Sequence, residues 1–425
     1  MELIVRKSRL GGEVVMPASK SHTIRAVAIG SLAEGQSMIR NPLVSNDTQA
    51  AVDCYRALGA EIDTTEPKLW KVTGTGGEIE VPEKIIDVGN SGTTLRIAMG
   101  SAALVRKDHT TTLTGDEQIR SRPVGPLMEA LSNLGATCRA IKNNGKAPVE
   151  VTGQLTGGKT AISASTSQYL SSLLLCTPLA AQDSEIDVTL LNEPGYVQMT
   201  LDWLDREGIE YQNEDMRLFK IKGGQNYKSF YATIPADFSS ATFFLCAGAL
   251  CGDEVTLLGL DFTDSQPDKA VVDYLKAMGA DISIGPNSVT IKGGPLKGAE
   301  FDMNQTPDAL PAMAVTAAFA KGQSRLLNVP QARAKETDRI GALACELKKN
   351  GASVEELPDG LIIDGSNLKP AELHGWADHR IVMALSLAGL CIDGQCTIDT
   401  AEAMSVTFPD YVELMKSIGA NMEMK

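Results

Sequence analysis

Six amphipathic patterns along the chain each end at a glycine, and successive glycines are 68 to 76 residues apart. Apolar residues at i, i+3 and i+4 predict helices with one buried face. Glycine just past the last turn is the usual left-handed C-cap. The spacing therefore predicts six copies of one supersecondary unit, closed by Gly59, Gly135, Gly208, Gly279, Gly351 and Gly419.

A second helical pattern lies upstream of each of these glycines and is apolar on nearly every side. Each begins with polar or charged residues and continues with small and apolar ones, as in residues 240–250 and 380–390. A helix without a polar face has to be buried. These helices are predicted to begin near Lys20, Asn90, Ser167, Ser239, Asp308 and Asp378.

Short strand-like runs separate the helices, so each unit consists of helix, strand, helix, strand and strand. The sixth unit lacks its last strand, and the run at residues 2–5 is predicted to supply it. We expect an α/β (α+β) fold of two inverse-α/β domains, each with three βαβαββ units around buried parallel helices. The expected domains are 15–229 and 1–14 with 230–425, joined by a two-stranded hinge near 11–17 and 229–235.

The polar starts of the buried helices predict an anion site. A helix N-terminus carries unpaired N–H groups and a partial positive charge. Clefts between domains commonly hold ligands. If the six helices run in the same direction, their N-termini meet at such a cleft, and domain closure would complete the site.

Composition restricts the partners of this chain. Its net charge of −14 argues against nucleic acid or an anionic membrane. The charged start does not resemble a signal peptide and no apolar run is long enough for a membrane span, so we expect a cytoplasmic protein. Eight scattered cysteines predict buried free thiols in a reducing compartment. Four histidines without metal-ligand spacing predict no bound metal.

The helix starts contain residue types that bind phosphate and carboxylate. Arginine binds both groups through two parallel hydrogen bonds, and glycine-rich segments let the backbone approach an anion. A single carboxylate among cations could act as a general base. Each segment alone would also fit a capped helix or a charged surface. The segments are 20–25, 87–96, 115–125, 163–169, 306–309, 333–339 and 378–380.

Taken in order, these motifs resemble the 5-enolpyruvylshikimate-3-phosphate synthases, the enolpyruvyl transferases of the shikimate pathway of chorismate and aromatic amino-acid biosynthesis. The resemblance covers essentially the whole chain. It rests on Lys20-Ser21-x-x-x-Arg25, Gly89-Asn90-Ser91-Gly92-Thr93, Arg122-Pro123, Ser167-Gln168, Pro307-Asp308-Ala309, Lys335-Glu336-Thr337-Asp338-Arg339, Asp378-His379-Arg380 and Thr407-Phe408-Pro409-Asp410-Tyr411.

The resemblance implies transfer of the enolpyruvyl group of phosphoenolpyruvate to the 5-hydroxyl of shikimate 3-phosphate, by a monomer without a cofactor. Asp308 would be the base, and Lys20 or Glu336 the acid. The residues implied for shikimate 3-phosphate are Lys20, Ser21, Arg25, Thr166, Ser167, Gln168, Tyr196, Asp308, Gln331 and Lys335. Those implied for phosphoenolpyruvate are Lys20, Asn90, Gly92, Arg122, Gln168, Glu336, Arg339, His379 and Arg380.

Several positions depart from the commonest pattern of the family. Val406 stands where a lysine is frequent, Gln118 where an arginine is, and Glu193 where a serine is. Thr166 and Gln331 replace a frequent serine and asparagine. These changes affect the expected binding residues and leave the proton-transfer residues intact.

Two other functions fit parts of this pattern. The transferases that act on UDP-N-acetylglucosamine share the fold, but they have Lys-Asn at the Lys20-Ser21 position and usually a cysteine at the Glu117 position. A non-catalytic anion-binding protein would have no need of Asp308 and Glu336 among its cations.

Overall fold

The computed structural model describes residues 1–425, which divide into two compact units. The continuous unit is Ala18–Ile234, and the discontinuous unit combines Met1–Pro17 with Pro235–Lys425. The predicted mixed α/β fold class is confirmed. No helix combines the length and the apolar character that crossing a membrane requires.

Twelve of the thirteen α-helices alternate between the two predicted kinds, and the exception is the short helix Glu117–Ser121. Four short 3-10 helices complete the helical elements. The α-helices are α1 (Lys20–Leu32), α2 (Asn46–Ala57), α3 (Gly92–Ala102), α4 (Glu117–Ser121), α5 (Gly125–Asn133), α6 (Ser167–Cys176), α7 (Pro194–Arg206), α8 (Phe238–Cys251), α9 (Val271–Ala277), α10 (Leu310–Phe319), α11 (Arg339–Lys349), α12 (His379–Cys391) and α13 (Tyr411–Ser417). The 3-10 helices are Thr177–Leu179, Pro267–Ala270, Pro330–Ala334 and Ala401–Val406.

Twenty-four strands complete the fold. They are β1 (Leu3–Arg6), β2 (Leu10–Val15), β3 (Gln36–Arg40), β4 (Glu61–Asp63), β5 (Leu69–Thr73), β6 (Ile86–Asp87), β7 (Thr110–Thr114), β8 (Thr137–Ala140), β9 (Val149–Thr152), β10 (Gly158–Ala164), β11 (Ser184–Leu191), β12 (Tyr211–Glu214), β13 (Leu218–Ile221), β14 (Tyr231–Thr233), β15 (Gly252–Leu258), β16 (Asp281–Gly285), β17 (Ser288–Lys292), β18 (Glu300–Asp302), β19 (Gln323–Leu327), β20 (Ser353–Leu357), β21 (Gly360–Asp364), β22 (Glu372–Leu373), β23 (Gln395–Ile398) and β24 (Asn421–Met424).

The strands form six four-stranded sheets on one plan, in which a parallel pair is followed by two antiparallel neighbours. The continuous unit contains the sheets β14-β3-β5-β4, β6-β7-β9-β8 and β10-β11-β13-β12. The discontinuous unit contains β2-β15-β17-β16, β18-β19-β21-β20 and β22-β23-β1-β24.

Strand β1 completes the sixth repeat, as predicted. It lies between β23 and β24, with Leu3 opposite both Ile398 and Met424. It therefore occupies the place that β5 holds in the first sheet. The pairing joins the two ends of the chain within the discontinuous unit.

The predicted buried helices are α1, α3 and α6 in one unit and α8, α10 and α12 in the other. Each group lies within its own hydrophobic core. In α8 every residue from Phe238 to Ala249 is buried. A helix with no exposed face has only its ends where polar groups can reach solvent or a ligand.

Local capping explains where the helices begin and end. Ser19 Oγ accepts a bond from the backbone N–H of His22, and Asp378 Oδ1 accepts one from Arg380 N. All six buried helices start within two residues of the predicted positions. The six glycines have φ between 68° and 108°, which confirms the left-handed C-caps.

A close contact between α12 and β1 generates a stability prediction. A Cβ added at Gly389 would lie 2.7 Å from Val5 Cβ, so Gly389→Ala should lower the free energy of unfolding by about 1–3 kcal/mol. Thermal and urea unfolding measure this. The control is Gly125→Ala, where the new Cβ would meet nothing within 4 Å. Equal stability of the two variants would show that β1 does not require this close approach.

Candidate active site

Lys20 begins α1 and forms an ion pair in the continuous unit. Its Nζ lies 3.0 Å from Asp47 Oδ2, in the first turn of α2. The side chain of Asp47 is buried and that of Lys20 is only 16% exposed. Limited contact with water makes this pair stronger than an exposed one.

Arg25 lies one turn further along α1 and is held by a set of neutral acceptors. Its Nε donates to Thr200 Oγ1 at 2.9 Å, and its Nη2 donates to the Tyr196 carbonyl at 2.9 Å and to Ser171 Oγ at 3.3 Å. Burial lowers the pKa of Arg25 to about 10, against a smaller raising effect of Tyr196. None of these acceptors has a full negative charge, so an anion could still neutralise the guanidinium.

The N-termini of α3 and α6 are joined by side-chain contacts. Gln168 accepts a bond from Arg96 Nη1 at 2.8 Å and donates to Thr93 Oγ1 at 3.1 Å. A Cβ added at Gly92 would meet Arg96 Nη1 at 2.6 Å and Arg122 Nη1 at 2.7 Å. The missing side chain at Gly92 therefore makes room for two guanidinium groups beside the start of α3.

Asn90, just before α3, is bonded to polar neighbours of the next segment. Its Nδ2 donates to Asp116 Oδ2 at 2.7 Å and to Gln118 Oε1 at 2.5 Å. Gln118, one of the departures from the family pattern, thus accepts a hydrogen bond from the amide of Asn90 and fixes its orientation. An arginine at position 118 could not accept that bond.

The hydroxyls at the start of α6 are bound to a buried carboxylate. Glu193 Oε2 accepts bonds from Ser167 Oγ at 2.7 Å, Ser167 N at 3.2 Å and Thr166 Oγ1 at 3.3 Å. Glu193 precedes α7 and is 2% exposed. The donors that the resemblance implies for shikimate 3-phosphate are thus bonded to a side chain of the protein.

Arg339 is the centre of the charged cluster in the discontinuous unit. It begins α11, is 1% exposed, and donates to Asp378 Oδ2 at 2.8 Å, Asp308 Oδ1 at 2.8 Å and Glu336 Oε2 at 2.5 Å. Burial alone would lower the pKa of Arg339, but Asp378, Glu336 and Asp308 together raise it above its usual value. The guanidinium therefore remains charged.

Three cationic side chains form ion pairs with the carboxylate of Asp308. Besides Arg339, Arg380 Nη2 lies 3.1 Å from its Oδ2, and Lys335 Nζ lies 3.8 Å from its Oδ1. Its side chain is 19% exposed, so solvent or a ligand can reach it. The cations favour the ionised carboxylate, which is the form that a general base requires.

The remaining predicted residues lie beside these groups. His379 is buried, with Nδ1 3.9 Å from Asp378 Oδ1. Gln331 lies in the 3-10 helix Pro330–Ala334, and its Nε2 donates to the Asn304 carbonyl at 2.9 Å. The backbone carbonyl of Ser21 accepts a hydrogen bond from Arg25 Nη1 at 3.0 Å.

Three partners in these clusters were not assigned as site residues from the sequence, although two of them lie in predicted segments. Asp47, Arg96 and Asp378 hold the predicted residues Lys20, Gln168 and Arg339. Arg96 had a usable signal, because an arginine inside a helix apolar on all sides must find a buried partner. No signal in the sequence marked Asp47 as a partner of Lys20, because an acidic residue is also common in the first turn of an amphipathic helix. No group of three or more His, Cys, Asp or Glu side chains is arranged to hold a metal ion.

Comparison with known proteins places these clusters in a family context. The family described as EPSP synthase (3-phosphoshikimate 1-carboxyvinyltransferase) matches residues 4–415. A 3-phosphoshikimate 1-carboxyvinyltransferase of Acetivibrio thermocellus is 54% identical over 422 residues, covering 99% of each chain. That of Ruminiclostridium cellulolyticum is 52% identical over 424 residues, covering 100% of each.

Solved structures agree with the sequence relatives. The EPSP synthase from Acinetobacter baumannii superposes with a TM-score of 0.83 at 26% identity, covering 100% of both chains. The enolpyruvyl transferase NikO from Streptomyces tendae has a TM-score of 0.78 at 20% identity and covers 99% of this chain and 98% of NikO. The latter likeness concerns the fold alone.

The Arg339 cluster predicts a large effect of Asp378→Asn on stability. Asp378 is fully buried and accepts bonds from Arg339 and from the start of α12. Removing its charge takes away one of the three carboxylates that surround a buried arginine, at a cost of about 3 kcal/mol. Urea unfolding measures the loss. Asp393→Asn, which breaks an exposed pair with Lys7, should leave stability unchanged within error. A similarly small change for Asp378→Asn would contradict the electrostatic account of the cluster.

Proposed function

The chain belongs to the EPSP synthase family, and from that membership we propose that it transfers the enolpyruvyl group of phosphoenolpyruvate to the 5-hydroxyl of shikimate 3-phosphate, releasing phosphate. The observation that carries the proposal is the Asp308 carboxylate, which is partly exposed among Arg339, Arg380 and Lys335. That arrangement combines a base with cations for anionic substrates.

The reaction that we propose is addition followed by elimination. A proton is added to the methylene carbon of phosphoenolpyruvate, and the oxygen of the 5-hydroxyl attacks the neighbouring carbon while Asp308 takes the hydroxyl proton. The tetrahedral adduct then loses one of the three methyl protons and its phosphate. A carbon–oxygen bond forms in the first step and another breaks in the second, and the methyl proton that is lost balances the one that was added.

The contacts support different roles for the two candidate acids. Arg339 stabilises the ionised form of Glu336, which makes Glu336 a poor proton donor and a suitable acceptor in the elimination step. Lys20 is a cation paired with Asp47, and it has a proton to give. Each ion pair favours the charged form of its group, and of the two charged forms only the ammonium group of Lys20 carries a proton. We therefore propose that Lys20 protonates the methylene carbon and that Glu336 receives a proton later.

We propose two sets of substrate-binding residues. Lys20, Ser21, Arg25, Thr166, Ser167, Gln168, Tyr196, Gln331 and Lys335 would bind shikimate 3-phosphate, together with the base Asp308. Lys20 and Gln168 would also contact phosphoenolpyruvate, along with Asn90, Gly92, Arg122, Glu336, Arg339, His379 and Arg380.

Arg25 supports the proposed contacts with shikimate 3-phosphate, because its neutral acceptors leave its charge available to a phosphate. Gly92 supports the proposed contacts with phosphoenolpyruvate, because two guanidinium groups lie beside it.

We also propose that the protein works as a monomer in the cytoplasm. All eight cysteines are free, and Cys54, Cys176, Cys246 and Cys396 are buried. Free thiols are usual in a reducing compartment.

Phosphate release from phosphoenolpyruvate tests the proposed activity. With purified protein, release should depend on shikimate 3-phosphate and should not occur with UDP-N-acetylglucosamine. Release with the sugar nucleotide alone would instead assign the chain to the other transferase reaction. Release with neither acceptor would favour an anion-binding protein without this activity.

The base assignment predicts a selective loss in Asp308→Asn. Because the amide cannot take the hydroxyl proton, kcat should fall by about 10²–10⁴-fold, while KM for shikimate 3-phosphate changes less than tenfold. Steady-state kinetics measure both constants, and a thermal melt checks the fold. Glu356→Gln is the matched control, since Glu356 pairs with Arg333 away from Asp308. A kcat within threefold of the unsubstituted chain would show that another group is the base.

A further inference from the structure

Glu193 has a position that the proposed reaction does not explain. Its carboxylate accepts hydrogen bonds from the same Thr166 and Ser167 donors that the proposed function gives to shikimate 3-phosphate. Each of these hydroxyls has one hydrogen to donate, and so does the Ser167 N–H. A donor engaged with Glu193 is therefore not fully available to a second anion.

The backbone at Glu193 is also in an unusual conformation. Its φ of 59° and ψ of 46° lie in the left-handed region, which is unfavourable for a residue with a Cβ and especially before a proline such as Pro194. Such strain persists where surrounding contacts maintain it. The three bonds to its carboxylate, together with the bond from Tyr196 N to its carbonyl at 3.0 Å, are contacts of this kind.

We infer that Glu193 is a specificity-determining residue that occupies the anion-binding donors at the start of α6 and competes with the phosphate of shikimate 3-phosphate. The inference rests on the proposed function. Two anions at the same donors repel each other strongly where water is largely excluded. Binding of the phosphorylated substrate then requires the Glu193 carboxylate to move away, which releases its strained backbone.

Competition and a purely structural role predict opposite changes in the affinity for shikimate 3-phosphate when Glu193 is altered. If Glu193 only positioned Ser167, its removal would weaken binding of shikimate 3-phosphate. If it competes, removal of its charge strengthens that binding. Phosphoenolpyruvate, which the proposed function assigns to other donors, should be affected little in either case.

Glu193→Gln is the decisive variant, because it keeps the size of the side chain and removes the charge. The Kd for shikimate 3-phosphate, measured by calorimetry, should fall about tenfold, the equivalent of one pKa unit of interaction. KM for phosphoenolpyruvate should stay within twofold. Glu193→Asp keeps the charge and tolerates the left-handed backbone, so its Kd should remain nearer to that of the unsubstituted chain.

Ser167→Ala tests separately whether shikimate 3-phosphate binds at Ser167, which is the assignment on which this inference rests. It should weaken binding of shikimate 3-phosphate, because it removes a proposed phosphate donor. If Ser167→Ala weakens binding and Glu193→Gln does not strengthen it, the competition is wrong and the site stands. If Ser167→Ala has no effect, the assignment of shikimate 3-phosphate to the start of α6 is wrong and the inference fails with it. Thermal melts of all three variants identify any loss of fold.

Discussion

Six helices that are apolar on every side impose the constraint on which the rest of this structure depends. Each has to be covered by strands and neighbouring helices around its whole circumference, and the repeated four-stranded sheets provide that cover. Only the helix ends remain for polar groups. Residues that we propose as substrate contacts, such as Lys20, Ser167 and Arg380, accordingly lie at the first turns of buried helices.

The net charge of −14 makes local charge balance the second constraint. Two buried cations illustrate this balance. Arg339 is surrounded by carboxylates, which fix a charged cluster and orient Asp308. Arg25 is held by hydroxyl and carbonyl oxygens, which leave a positive charge that a substrate anion can neutralise.

Glu193 is a buried anion, and its carboxylate occupies hydrogen-bond donors that are suited to a ligand.

Periodicity and capping were sufficient to predict much of the fold. The starts of the buried helices, the glycine caps and the role of β1 follow from local pattern and from the count of strands in each repeat. The side-chain partners were beyond this reasoning. Asn90 meets Gln118, and Gln168 meets Arg96, across 28 and 72 residues. Such pairs depend on how neighbouring repeats pack and on rotamer choice, which no single segment encodes. The departure at Glu193 was visible in the sequence, but its three bonds were not.

The central claim is that side chains at these helix starts move a proton onto the methylene carbon of phosphoenolpyruvate and later remove one. Mass spectrometry of the product formed in D₂O tests it most directly. Because the adduct has a methyl group that mixes solvent and substrate hydrogens, the account predicts deuterium in the vinyl group of the product. A product with no deuterium at that carbon would contradict the addition–elimination reaction and the proton-transfer roles assigned to Lys20 and Glu336.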